Sequence, residues 1–356
     1  MKIIYDNIIF SLQKAGGISL YWKELASRMV VSGQDISFYG YLNENIFSDH
    51  FNTIQKKESF LWHGICRYMD FRVQIKDKSI FHSSYYRVAN QKNVVNIITL
   101  HDFTYEYYAR GLRKYIHLWQ KGRALEKGDG IICVSENTKK DLLKFYPFLL
   151  GEKIKVIYLG ASDAFCVLSN PAKILLQHFR ELDGKRYILY VGDRKGYKNF
   201  NFLVKAFWKL KDYTLVMVGG GALTKKESKK LTMDYVHFQG LSAEELNILY
   251  NNAFCMVYPS LYEGFGIPVL EAMRAGCPVI AMNSSSIPEV AGNAAILLSV
   301  DSSSKELWEA IFALEKRDFR QSLVSDGLEQ SGKFSWDKTY EETLNFYQYT
   351  WNGRHH

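Results

Sequence analysis

With 356 residues the chain is longer than one hydrophobic core ordinarily supports, so two domains are expected, and 47% hydrophobic residues exclude a disordered chain. The 45 Lys and Arg against 37 Asp and Glu leave a net charge of +8, which favours anionic partners: nucleotide donors, phospholipid head groups or nucleic acid. Five widely spaced cysteines without a C-x-x-C pair indicate neither a disulfide framework nor a zinc site and read as buried thiols of a reducing cytoplasm, and no segment reaches the roughly 18 apolar residues of a spanning helix.

The chain opens on a strand at residues 3–5, with no apolar stretch of the signal-peptide kind, and further β-branched or aromatic runs follow at 36–39, 94–100, 131–134 and 155–158. Helical patterns alternate with them, which predicts a parallel sheet covered on both faces. Gly16 and Gly17 lie between the first strand and a helix over about 19–29, where backbone amides can approach phosphate oxygens. Neither G-x-G-x-x-G nor G-x-x-x-x-G-K-[ST] occurs, which argues against a dinucleotide enzyme or a P-loop nucleoside triphosphatase. His101 and Asp102 end the strongest strand, a position suited to hydrogen bonding with a sugar hydroxyl or a reacting centre. Residues 105–127 mix Arg110, Arg113, Lys114, Lys121, Arg123 and Lys127 with Tyr107, Tyr108, Tyr115 and Trp119; this suits a membrane surface, and equally an amphipathic surface helix. Ser135 after the strand at 131–134 reads chiefly as a helix N-cap.

A polar, Gly/Pro-punctuated stretch at 159–172 marks the expected boundary between domains 1–165 and 170–335, and the strand pattern restarts at 187–191, 215–218, 236–238, 255–258, 279–281 and 296–298. The loop after residue 191 carries Arg194 and Lys198, two cations suited to a diphosphate leaving group. The stretch Glu263-Gly264-Phe265-Gly266-Ile267 follows the run ending at Pro259, and Glu271 stands eight positions after Glu263 on a helix opened near Pro268, so both acids can face one crevice. Ser284, Ser285 and Ser286 precede Glu289, a spacing that reads as ligand contacts or as a capping box of Ser286 with Glu289. A terminal helix over 336–352 is expected to cross back between the domains, and residues 353–356 are set aside as a tail.

Taken together, the Gly16-Gly17 loop, residues 99–102, 134–138, 190–199, the Glu263-x7-Glu271 element, 285–292 and the segment around Trp336 resemble the retaining glycosyltransferases of family 4, over nearly the whole chain. The resemblance implies the GT-B fold: α/β, two doubly wound Rossmann-like domains facing across a cleft. It implies a nucleotide-sugar donor bound by the second domain, with Glu271 on the ribose, Glu263 and His101 by the donor sugar, and Arg194 and Lys198 on the diphosphate. No cofactor and no divalent metal are implied, the cations standing in for magnesium. Front-face displacement is implied as well, so no Ser or Cys nucleophile is sought. The likeness to bacterial mannosyltransferases of surface polysaccharide assembly implies GDP-mannose, a glycan or polyprenyl-diphosphate-linked acceptor, no nucleic acid, and a cytoplasmic enzyme peripheral on the inner membrane face. A UDP-sugar donor, a non-hydrolysing nucleotide-sugar epimerase, and a non-catalytic binder of anionic ligands are the alternatives.

Overall fold

The computed structural model describes residues 1–41, 43–52, 54–57, 62–149 and 151–353; the end of the tail, 354–356, lies outside them. The chain divides into two compact units: Met1–Leu159 with the helix Trp336–Gly353, and Gly160–Ser335.

The first unit is a seven-stranded sheet formed by β1 (Lys2–Asp6), β2 (Ile36–Gly40), β3 (Lys56–Lys57), β4 (Ser79–Ser83), β5 (Val94–Leu100), β6 (Gly130–Cys133) and β7 (Ile154–Val156). The order is β3-β2-β1-β4-β5-β6-β7 and every pair is parallel. The seven residues of β5 are all buried, as a near-continuous apolar run requires when helices cover both faces. The second unit is a six-stranded parallel sheet of β8 (Tyr187–Val191), β9 (Thr214–Val218), β10 (Tyr235–Phe238), β11 (Cys255–Tyr258), β12 (Val279–Met282) and β13 (Ile296–Leu298), in the order β10-β9-β8-β11-β12-β13. In each sheet the order reverses beside the opening strand, between β1 and β4 and between β8 and β11, which creates a crevice at the carboxyl ends.

Three features depart from the sequence reading. Strand β4, central to the first sheet, and the two-residue edge strand β3 carry no clear strand pattern. Within β4, Ser79, His82 and Ser83 are buried; Ser79 donates locally to the Asp77 carbonyl at 3.0 Å, while the other two are satisfied by partners distant in sequence: His82 Nδ1 lies 2.5 Å from Tyr347 Oη, its Nε2 lies 2.9 Å from Thr99 Oγ1, and Ser83 donates to Asp6 at 2.8 Å. Burial holds the His82 imidazole down to about 3, so it stays neutral and links the helix Trp336–Gly353 to the sheet. Residues 160–165, expected in the first domain, lie in the second unit, where Arg274 donates to the Ala161 carbonyl at 2.8 Å and pairs with Asp163 at 3.0 Å. Among the five thiols Cys166 is exposed and the other four are buried.

Candidate active site

The reversal point between β8 and β11 assembles the second unit's candidate residues. The loop after β8 ends in the 3-10 turn Gly196–Lys198, and the loop after β11 carries Glu263; Leu261 N donates to Tyr197 O at 2.8 Å and ties the two loops together. Lys198 Nζ meets Glu263 Oε1 at 2.6 Å and lies 3.4 Å from the Tyr258 hydroxyl, with both charged side chains largely buried. A desolvated ion pair of this kind holds its ammonium at a fixed point, ready to share it with an incoming anion.

Among the described residues only two non-glycine positions take left-handed backbone, and both border this pair: Asn199 (φ 53°), next to Lys198, and Ser285 (φ 51°), whose hydroxyl accepts from Glu263 N at 2.8 Å. Strain held at such positions is characteristic of functional sites. Ser286, which the spacing offered as a ligand contact or a capping residue, makes no side-chain cap; its hydroxyl donates to the carbonyls of Glu263 (2.9 Å) and Phe265 (2.8 Å). Ser284 Oγ donates to Leu261 O at 2.5 Å, so the three serines hold the Leu261–Phe265 turn in shape. Gly266 stands at φ 108°, where a Cβ would come within 2.7 Å of Ile287 Cδ1, and Gly264, Phe265 and Ile267 complete the turn into the helix Ile267–Arg274.

Glu271 is buried on that helix and accepts from Tyr250 Oη at 3.3 Å. Burial pushes its carboxyl up to about 7, opposed by the Tyr250 hydrogen bond. The folded value exceeds the unfolded value of 4.5, so the folded state binds the proton more tightly. The stabilisation is complete below pH 4.5 and is lost as pH rises towards 7, by about 3 kcal/mol in total. The buried, neutral imidazoles of His82, His101 and His117 act the other way over the same range, so unfolding midpoints are expected to climb more steeply with pH in Glu271→Gln than in the wild type; parallel curves would remove Glu271 as the source.

Arg194 has partners of its own. Its guanidinium is turned onto the loop after β9: Nε pairs with Glu227 at 2.8 Å, Nη1 donates to Gly219 O at 3.2 Å and Nη2 to Gly221 O at 2.6 Å. The sequence reading set both cations on one diphosphate; in the structure Arg194 is held by carbonyls and a carboxylate, and Lys198 by Glu263.

In the first unit, His101 follows β5 half-buried, its ring edge-on to Tyr21 at 5.0 Å; Tyr21 belongs to the helix Gly17–Val31, which Gly16 caps. Burial lowers the His101 imidazole to about 4 against the opposing pull of Asp102, so at neutral pH it is an uncharged hydrogen-bonding group. Asp102 accepts from Thr104 N at 2.9 Å, a local turn contact. A Cβ on Gly17 would meet nothing within 4 Å. Ser135 is the N-cap of Glu136–Phe145, accepting from Thr138 N at 3.0 Å.

The basic-aromatic segment splits between surface and interior. On the helix Leu112–Lys127, Leu112, Tyr115 and Trp119 are exposed, while Lys121, expected on the surface, is fully buried against Glu106 at 2.8 Å. Arg123 and Lys127 pair with Asp70. Among the described residues no helix is long and apolar enough to cross a membrane.

Comparison with known proteins accords with this architecture. Residues 15–165 match the family Glycosyltransferase Family 4 and residues 173–329 the family Glycosyl transferases group 1. The O-antigen chain mannosyltransferase B of Escherichia coli is 26% identical over 312 residues, covering 83% of this chain and 76% of that protein. The O-antigen chain mannosyltransferase RfbU of Salmonella typhimurium is 26% identical over 277 residues, covering 75% and 73%. The fold is shared with Anabaena HepE, solved with UDP and glucose, at a TM-score of 0.76, 14% identity and coverage of 98% and 99%. With one family matched by each unit, the chain belongs to the group 1 glycosyltransferases, enzymes of the GT-B fold that draw on a nucleotide sugar.

Proposed function

We propose that the enzyme transfers mannose from GDP-mannose, with retention of configuration, to a glycan or lipid-linked oligosaccharide in surface polysaccharide assembly. The observation that carries this reading is the Lys198–Glu263 pair at the β8/β11 reversal point, joined to the likeness to two O-antigen mannosyltransferases. Lys198 takes up the charge that grows on the diphosphate as the bond from sugar C1 to its oxygen breaks, in the role a divalent metal would otherwise fill. The acceptor oxygen bonds to the same face of C1, and its proton passes to the departing phosphate oxygen. Glu263 lies beside the donor sugar and Glu271 holds the ribose hydroxyls, and neutral His101 is suited to hydrogen-bond a sugar hydroxyl.

A UDP-sugar donor is the second reading, favoured by the shared fold with HepE in its complex with UDP and glucose. Thermal shift with GDP, UDP, ADP and their sugars separates the two, since a ligand of the folded state raises its melting temperature. Selective stabilisation by GDP and GDP-mannose is the expected result; selectivity for UDP would overturn the mannosyl assignment. Running the panel and the transfer assay in EDTA tests the metal-free role, which a requirement for added magnesium would remove from Lys198. The exposed Leu112, Tyr115 and Trp119 with Arg110 support a peripheral position on an anionic membrane face in the cytoplasm, and failure to co-sediment with anionic vesicles would exclude this.

A further inference from the structure

The first unit holds a cavity of about 240 Å³ whose walls include Arg67, Tyr68, Tyr105, Arg113, His117 and Gln120. Its walls come from the segment before β4, which carries Arg67 and Tyr68, and from the segments after β5, which carry Tyr105 and the helix Leu112–Lys127. Among the described residues no carboxylate lines it, and two guanidiniums do. Arg67 Nη2 donates to Tyr85 Oη at 2.8 Å, but its Nε is buried without a partner; Arg113 is exposed.

Gln120 is 2% exposed and fixes what the cavity lacks. Its Nε2 donates to the carbonyls of Arg67 and of Tyr86, the latter at 3.4 Å. Two carbonyl partners settle which end of the amide is nitrogen, and Oε1 is left buried with no donor. Such an atom costs roughly 1–3 kcal/mol unless a ligand hydroxyl reaches it. His117 stacks on Tyr105 at 3.9 Å, and burial, helped by the Lys121 charge, lowers it to about 3, so it adds a neutral hydrogen-bonding edge.

The unmet groups are thus cationic donors on one side and an acceptor on the other. A phosphate ion at neutral pH answers the guanidiniums but keeps only one or two P–OH groups for Gln120 Oε1, whereas a neutral sugar brings several hydroxyls and no charge. From this we propose that the cavity binds a phosphorylated sugar, with the phosphate on Arg67 and Arg113, a hydroxyl donating to Gln120 and the ring against Tyr68. The inference rests on the glycosyltransferase reading and identifies a phosphate-bearing sugar as the acceptor element the first unit recognises.

The test is titration of the full chain, with GDP in excess to fill the donor site, using glucose 1-phosphate, methyl glucoside and inorganic phosphate followed by ligand-observed NMR. Glucose 1-phosphate should bind best, and Arg113→Gln should weaken it about tenfold, the loss of one charge-assisted contact. Inorganic phosphate binding as tightly as the sugar phosphate would remove the sugar from the proposal. Equal binding of methyl glucoside, or equal affinity in Arg113→Gln, would overturn it altogether. GDP binding, followed in the same samples, reports on the donor reading separately, so failure of one is distinguishable from failure of the other.

Discussion

Lys198→Ala is expected to lower kcat by about 10²–10³-fold while the protein stays folded, because on the proposed reading it deletes the ammonium, held by Glu263, that meets the charge growing on the leaving diphosphate. The loss should fall mainly on kcat, since an interaction that strengthens in the transition state contributes little to ground-state binding. Arg194→Ala should behave oppositely. Its guanidinium serves Gly219 O, Gly221 O and Glu227, and a Cβ on Gly220 would come within 2.6 Å of its Nη1, so the side chain fills the space beneath that glycine loop. Removing it strands carbonyls and a carboxylate at about 1–3 kcal/mol, with kcat much less affected. Steady-state kinetics and urea melts on both variants decide the matter. Two variants that lose kcat equally at unchanged stability would restore the paired phosphate clamp read from the sequence.

This contrast shows what the chain discloses and what it withholds. The Glu263-x7-Glu271 element and the Gly196–Lys198 turn are local in sequence and border an apolar strand, so their position at a carboxyl edge follows from spacing alone. The fate of Arg194 does not, because its partners arrive from 25 to 33 residues away. Strand β4 stayed hidden for a related reason: His82 looks unsuited to a buried strand until Tyr347, 265 residues on, supplies a hydroxyl. The serines after β12 offered two equal explanations, and only the positive φ of Ser285 and the carbonyls facing Ser286 show that they brace Glu263. The lysines of the basic-aromatic helix illustrate the limit of composition: their spacing is that of a surface, yet Lys121 points inward.

That inward lysine leads to the second large effect. Lys121 and Glu106 are 0% and 2% exposed and 2.8 Å apart, and Lys121 Nζ also donates to the Asp102 carbonyl at 3.1 Å and sits 4.3 Å from the Phe103 ring centre. Removing either partner leaves an uncompensated buried charge, so Lys121→Met or Glu106→Leu alone should destabilise the first unit by about 3–5 kcal/mol. That is a large share of the roughly 5–15 kcal/mol that usually separates folded from unfolded domains. The double variant Glu106→Leu/Lys121→Met should recover most of the loss, because apolar side chains replace a buried pair at little net cost. It should not recover transfer activity to the same degree, since Asp102 then loses the ammonium that fixes its carbonyl beside His101. Hydrogen exchange in β5 follows the first unit's stability and kcat follows the site. Singles that exchange like the wild type would show the pair to be energetically idle, and a double variant with full stability and full kcat would reduce Lys121 to a packing residue.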